Sequence, residues 1–505
     1  MQRTMPTAAW ATRVGLVALA LATAGCSGDD DKGSPSDGTP VDSTTTTDTE
    51  SPTVDTSTPT DSEPTPTAHT ATDTGHTGTP GGTLSASCVL AKDNTLRAWC
   101  DVTTDPPAAV EVSFVPTAGG TERVHSSDAA AADHRVGLYL MTAETDYSWT
   151  ARRVDDGSIA ATGTFTTGAL PQGAQLRYDA TGSPAAEHYV HVSPCSVANM
   201  AIVTRATDDQ VVWYQQFIDG DKFVGLELTE DGTILGMSGN DYITEVDFMG
   251  QQLLYLEQYT DFTGQLHHDL TRDDGRTFAL FKERVNIKGF DFDLDGFFVF
   301  DEQGALAGQW HLADHWLPSG PHPTHGADVT HSNSIWVDDG VAIISIRHLS
   351  TVIAVAADPD AKNFGEVLWR LEGNPNTADW ESDYQLMQDG TRGTFQEQHH
   401  AVILPNGRLS MFDNRISMSA NSRAIEVELD DKTGVATIVQ QYELPTHCNF
   451  QGGSNRTASG HAVITCAPRG LVYEFEPGTA TVSWQNKIEC DSGNSGVVPR
   501  LMPLE

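Results

Sequence analysis

A chain of 505 residues with 38% hydrophobic side chains has room for more than one domain and for substantial cores. Its formal charge of -40 repels nucleic acid and anionic membrane surfaces, which argues against polyanionic partners. A small anionic substrate would be repelled as well, so a site for one needs its own local cations.

Residues 1–26 are expected to form a lipoprotein export signal. Arg3 and Arg13 flank the start of an apolar run, Val14 to Ala24, that is shorter than the ~20 residues needed to span a bilayer. The run ends in Thr23-Ala24-Gly25-Cys26, which resembles a bacterial lipobox whose cysteine is lipidated. Ser27 after it points to an exported chain anchored in the cell envelope, on the outer membrane where there is one, facing the periplasm or the surface. Residues 27–82 are mostly Thr, Asp, Ser, Pro and Gly, with eleven acids and the single Lys32. They offer too little apolar surface to offset chain entropy, so a disordered, self-repelling tether is expected.

Six cysteines follow Cys26, and no CxxC occurs. An even number in an exported chain implies disulfides rather than metal ligands or nucleophiles. Cys88 with Cys100 suits neighbouring strands, Cys448 with Cys466 is the next choice, and Cys195 with Cys490 would then link the two ends of the large domain. Fifteen connectivities are open on arithmetic alone.

Residues 83–170 carry short alternating strands at Leu96 to Val102, Val110 to Val115, Glu122 to His125, Tyr147 to Arg153 and Gly163 to Thr167. The stretch Leu140 to Trp149, with Thr145-Asp146-Tyr147, resembles the turn and strand in which fibronectin type III domains tie a corner through a tyrosine hydroxyl. A fibronectin III/Ig-like β-sandwich without chemistry of its own is expected there.

From residue 171 to 505 a longer unit recurs, with an Asp-Gly, Asn-Gly or Ser-Gly turn between apolar strands at Gly232, Gly275, Gly340, Gly407 and Gly460. Intervals of 43 to 67 residues fit four-stranded blades, and a further copy ending near Trp213 makes about six blades of a β-propeller, with five or seven open on the pattern alone. The chain is therefore all-β. In a propeller the innermost strands face a common channel. His267 and His268 open the blade turning at Gly275, His331 opens the one turning at Gly340, and Gln398-His399-His400 open the one turning at Gly407. Arg347 lies on the return strand after Gly340. Three consecutive blades thus aim imidazoles at one axis, beside a guanidinium.

The motifs His331-Ser332-Asn333-Ser334, Ser345-Ile346-Arg347-His348, Gln398-His399-His400 running to Pro405-Asn406-Gly407, Phe412-Asp413-Asn414 and Ser422-Arg423-Ala424 resemble the bacterial aryl-sulfate sulfotransferases. That resemblance runs from about Leu266 to Tyr473. It implies an N-terminal Ig-like domain, a six-bladed propeller, and movement of sulfuryl groups from an aryl sulfate to a phenol with no nucleotide donor, cofactor or metal. It makes His399 the histidine that accepts the sulfuryl group. His331, His268 and Arg347 become catalytic, and Asn333, His267 and His400 bind substrate. His268 ahead of Asp269 fits the family's His-His-Asp better than His267, and His400 stands where a small or acidic residue is expected after the nucleophile.

These residue types suit the chemistry. Sulfuryl transfer gathers negative charge on the sulfuryl oxygens, so placed donors and cations carry most of the catalysis. Neutral imidazole can attack sulfur at physiological pH and later leave. Asp291-Phe292-Asp293-Leu294-Asp295-Gly296 superficially resembles a calcium loop but lacks the closing glutamate, and a charged turn is the simpler reading. His322, His325 and His331 match no short zinc-chelating spacing. Two other classes remain on sequence grounds: a non-catalytic surface propeller that binds a ligand, and a metal-dependent hydrolase.

Overall fold

The computed structural model describes residues 82–504 apart from 156, 158, 196–199, 218–222, 239–241, 375–379, 417–418 and 494–495. The expected export signal, Cys26 and the tether up to residue 81 lie outside the described residues. Among the described residues the elements are strands and three short 3-10 turns, and no helix is long and apolar enough to cross a membrane.

The N-terminal unit is built of five strands, β1 (Thr83–Leu90), β2 (Ala98–Pro116), β3 (Arg123–Leu138), β4 (Asp146–Arg153) and β5 (Ile159–Thr166). Alternating burial along β2 and β4 follows the period-two pattern of their side chains and sends Val112, Phe114, Tyr147 and Trp149 into one core. Two short strands were expected between Leu96 and Val115, but β2 is continuous over 19 residues. Its first half pairs with β1 and its second with β4, while register shifts against β3 between Thr103 and Val110 absorb the bend. The five strands therefore make one hydrogen-bonded network bent over a single core. The tyrosine corner forms as expected, with the Thr142 N–H donating to the Tyr147 hydroxyl at 2.9 Å.

The rest of the chain forms six blades arranged as a ring, each with four strands, in meander order in all but the first, and two of them extended at the outer edge. The innermost strands, taken around the ring from blade 1, are Met502–Leu504, Phe223–Leu228, Gln265–Asp273, Ser332–Asp338, His399–Ile403 and Gly453–Arg456. Two-residue turns follow from sequence in blades 3 and 4. Asp274-Gly275 and Asp339-Gly340 both have positive φ (45° and 77°, 49° and 71°), as a tight hairpin matching strand twist requires. Apolar side chains of neighbouring blades interlock between the sheets, for example Phe278, Phe297 and Trp310 of blade 3 against Ile335, Ile344 and Ile353 of blade 4. Truncating one of the fully buried phenylalanines to alanine would cost about 3–5 kcal/mol.

The ring is closed by both ends of the domain. Met502–Leu504 supplies the innermost strand of blade 1 by pairing with His188–Val192, and Leu176–Tyr178 pairs with the outer strand Val482–Cys490 of blade 6. All three disulfides join the expected cysteines, and Cys195–Cys490 lies at this closure. The segment Asp291 to Gly296 departs from expectation. It is neither a loop nor a turn but part of the strand Phe290–Phe300, because its carboxylates and apolar side chains alternate with period two. The turn lies just before it, at Lys288-Gly289.

Candidate active site

Each expected histidine sits at the start of an innermost strand, on a local irregularity of the ladder. Pairing slips between Leu266 and Leu270, between Ser332 and Ser334, and between His399 and Val402. At the same places His268, His331 and His400 adopt φ of 65°, 51° and 55°. Left-handed backbone is costly for a side chain with a Cβ, and bulges of this kind re-aim side chains next to functional sites. Three consecutive blades thereby present imidazoles to one channel.

His399 is buried and held by amides. Both hydrogens of the Asn414 amide go to carbonyls, those of Cys448 and Gln451, at 2.9 Å each. The Asn414 oxygen is left to accept the His399 Nδ1–H at 2.8 Å, and the Glu397 carbonyl accepts it at 3.1 Å. The lone pair of His399 is therefore on Nε2, consistent with the Gln451 N–H that donates to it at 3.2 Å. Burial first, and the Arg347 charge second, hold His399 well below the ordinary imidazole range, so it is neutral at physiological pH. The Cys448–Cys466 disulfide anchors the segment whose Cys448 and Gln451 main chain holds Asn414 and His399.

Gln398, adjacent in sequence, is structural. Its amide donates to the Ser345 hydroxyl at 2.9 Å and the Thr351 carbonyl at 3.0 Å, and so locks blade 5 against blade 4. Asn333 spends one amide hydrogen on the Gln398 carbonyl at 2.8 Å.

The opposite wall has carboxylates behind its imidazoles. His331 Nδ1–H donates to Asp328 Oδ2 at 2.6 Å, and Lys282 Nζ reaches the same oxygen at 3.2 Å. Burial alone would raise the Asp328 carboxyl; the His331 hydrogen bond and the nearby charges overcome it and hold the group well below the usual range. The rings of His268 and His331 meet edge to face with centroids 4.5 Å apart. Behind them His267 Nε2 lies 3.0 Å from Asp295 Oδ1, and Nδ1 of His267 and Nδ1 of His268 share a hydrogen bond at 2.7 Å. His268 is held neutral by burial and then by His331. His268 is thus the one against His331, and His267 stands behind it.

Arg347 is pinned by Glu397, whose carboxylate lies 2.7 Å from Nη2, and Nη1 points to His348 Nε2 at 3.4 Å. Its Nε has no partner among the described residues. His348 in turn donates Nδ1–H to the Asp328 carbonyl at 2.7 Å, and His325 stacks on it at 3.6 Å between centroids. His399 and His268 both register the charge of His331, which brings the expected residues of three blades into one electrostatic unit with Arg347. His400 stands apart. Its Nδ1 accepts from the Ser454 N–H at 2.8 Å, and Arg500 rather than Arg347 is the charge it feels most.

Asp328, His331 and His348 offer nitrogen and oxygen atoms within 4.8 Å of one another, a separation that would admit a cation. The fixed charges oppose one, since Lys282 already rests on Asp328 and Arg347 adjoins His348. Both Nδ1 atoms are also engaged. The group is better suited to moving a proton than to holding a metal ion.

Sequence reasoning missed Asp295, Glu397 and Arg500 and gave Asp328 and Asn414 no role. Asp295 was obscured by reading its segment as a turn. Glu397, next to the Gln-His pair, carries the one visible signal, an acid beside a candidate nucleophile.

None of the curated proteins matches this chain. Among solved structures it is similar to a structural genomics protein of unknown function from Bacteroides thetaiotaomicron VPI-5482, at 13% identity and TM-score 0.33, covering 81% of this chain and 99% of that one. It is also similar to virginiamycin B lyase from Staphylococcus aureus, at 8% identity and TM-score 0.33, covering 80% and 99%. A third is BamB from Moraxella catarrhalis, at 12% identity and TM-score 0.29, covering 61% and 76%. The family model described as Arylsulfotransferase (ASST) matches residues 198–497, which is more than half of the chain and includes every histidine of the channel. This propeller protein belongs to the arylsulfotransferase family.

Proposed function

We propose that the chain moves a sulfuryl group from an aryl sulfate ester to a phenol by way of a sulfuryl group carried on Nε2 of His399. One observation carries the reading: a neutral imidazole with its lone pair on Nε2 shares a channel with a guanidinium and with a second imidazole backed by a carboxylate. In the first half-reaction the His399 Nε2 lone pair forms the N–S bond as the S–O(aryl) bond breaks, and the departing aryloxide takes a proton from His331. In the second, His331 takes the proton of the acceptor phenol, whose oxygen forms a new S–O bond as the N–S bond breaks. The proton count balances over the cycle.

Arg347 holds sulfuryl oxygens, and Glu397 fixes where it stands. Asp328 keeps His331 in the tautomer and charge state that donates, as a carboxylate behind a catalytic imidazole does. His268 and Asn333 line the same space, with His267 and Asp295 orienting His268. The lipobox-like motif supports anchoring through Cys26 in the cell envelope, and loss of fatty-acid labelling in Cys26→Ser would accord with it.

The decisive experiment is brief mixing with a chromogenic aryl sulfate without acceptor, followed by peptide mapping. A mass increase equal to SO3 on the peptide containing His399, discharged by added phenol, is the expected result. An unmodified His399 during active turnover would overturn the mechanism.

A further inference from the structure

The innermost strands end on the face opposite the histidines, and there a cavity of about 510 Å³ opens between blades 5 and 6. The strand that begins at His399 runs into its wall at Leu404, on the order of 15 Å further along at ~3.3 Å per residue. Leu404 and the rings of Pro405, Pro477 and Pro503 make much of that wall apolar. The volume lies inside the roughly 300–1,000 Å³ of small-molecule sites.

One group of charges meets this cavity. Glu426, 5% exposed, accepts from Arg456 Nη2 at 2.9 Å, from Arg408 Nη1 at 3.0 Å and from the Tyr442 hydroxyl at 3.2 Å. Arg456 is fully engaged. Its Nη1 donates to Ser454 Oγ at 3.0 Å and to the Asn455 carbonyl at 2.8 Å, and its guanidinium lies 5.3 Å from the centre of the Tyr442 ring. Arg408 is not: its side chain is 38% exposed, and of its guanidinium only Nη1 is bonded among the described residues. Burial keeps Tyr442 a neutral phenol. Two arginines against one carboxylate leave the lining at +1, in a chain whose formal charge is -40.

These features fit the two halves of one ligand. The C–H groups of proline rings favour the negative face of an aromatic ring. A half-exposed guanidinium with free N–H groups favours an anionic oxygen group through charge-assisted hydrogen bonds. An inorganic anion has no body to cover the apolar wall, and a neutral arene leaves Arg408 unanswered.

We propose that this cleft between blades 5 and 6 is a second ligand site and that it takes an aromatic monoanion, with its ring against Pro405, Pro477 and Pro503 and its carboxylate, sulfonate or sulfate ester group on Arg408. The site is separate from the transfer centre at the other end of the strands, and the claim does not depend on the transfer mechanism.

The test uses the full chain carrying Arg347→Gln and His399→Asn, which removes the guanidinium and the nucleophile of the transfer centre. The probes are benzenesulfonate, whose sulfur is joined to the ring through carbon and cannot be transferred as a sulfuryl group, and benzoate. Titration calorimetry at constant ionic strength should show one arene anion per chain. A preference for benzenesulfonate assigns the site to sulfo-bearing arenes such as the aryl sulfate donor, and a preference for benzoate to aromatic carboxylic acids. Arg408→Gln should weaken uptake roughly tenfold, and Glu426 keeps Arg456 and Tyr442 in that variant. Ala458→Phe, at the exposed rim, should weaken uptake by filling space without changing charge. No uptake of either anion, uptake unchanged by both substitutions, or equal uptake of benzyl alcohol or sodium sulfate would overturn the proposal. Failure of the mass-mapping experiment on His399 would leave this titration untouched, so the two readings fail separately.

Discussion

His399 and His331 share one channel, and each lies at a slip in strand pairing, yet different groups stand behind their rings. Behind His399 stands a carboxamide, Asn414, and behind His331 a carboxylate, Asp328. An amide oxygen fixes the tautomer without adding charge, so burial and Arg347 keep His399 neutral. A carboxylate fixes the tautomer and also stabilises the imidazolium. On the mechanism proposed above, the partner behind the ring, rather than the ring, would divide the roles of nucleophile and proton carrier.

That division can be broken most severely at the nucleophile. His399→Asn should lower transfer by at least about 10⁴-fold and leave no SO3 on the protein, as removal of a covalent nucleophile does. A rate close to wild type, measured with a chromogenic donor and phenol, would remove the distinction altogether. His331→Asn should cost roughly 10²–10⁴-fold, the range of a general acid and base. The loss should shrink for donors with very acidic leaving phenols, and equal losses across a leaving-group series would show that His331 carries no proton.

Exchanging the partners sharpens the comparison further. Asn414→Asp would place a carboxylate behind His399 and raise its pKa, so the nucleophile becomes protonated as pH falls through the new value. The pH–rate profile should lose its acid side, with roughly 10–100-fold less activity at pH 6 and partial recovery at higher pH. An unshifted acid limb would mean that Asn414 does not govern the ring. The smallest effect is expected from Cys448→Ala with Cys466→Ala, which frees the segment holding Asn414 and the Gln451 amide. It should lower kcat roughly tenfold with little change in KM, whereas Cys88→Ala with Cys100→Ala should leave kcat alone.

Much of the architecture was legible because turns and strand starts obey local rules. Asp-Gly pairs marked the hairpins of blades 3 and 4, since few other residues tolerate positive φ twice in succession. Histidines at strand starts then fell on one channel by geometry alone. The partners behind the rings were harder to see. Asp295 reaches His267 from a different strand, and its segment alternates acids with apolar residues closely enough to look like a turn. Arg500 acts on Asp269 across 231 residues of sequence, and no spacing rule connects them. Burial decides both, and burial is a property of the closed ring.

That ring gives the order of synthesis a chemical meaning. A nascent polypeptide that has emerged as far as blade 6 already owns its imidazoles and Arg347, but blade 1 lacks Met502–Leu504 and the bridge from Arg500 to Asp269 does not exist. Stop codons or proteolytic nicks within the last few residues should therefore silence the enzyme as thoroughly as losing a catalytic side chain, although they remove nothing that touches sulfur.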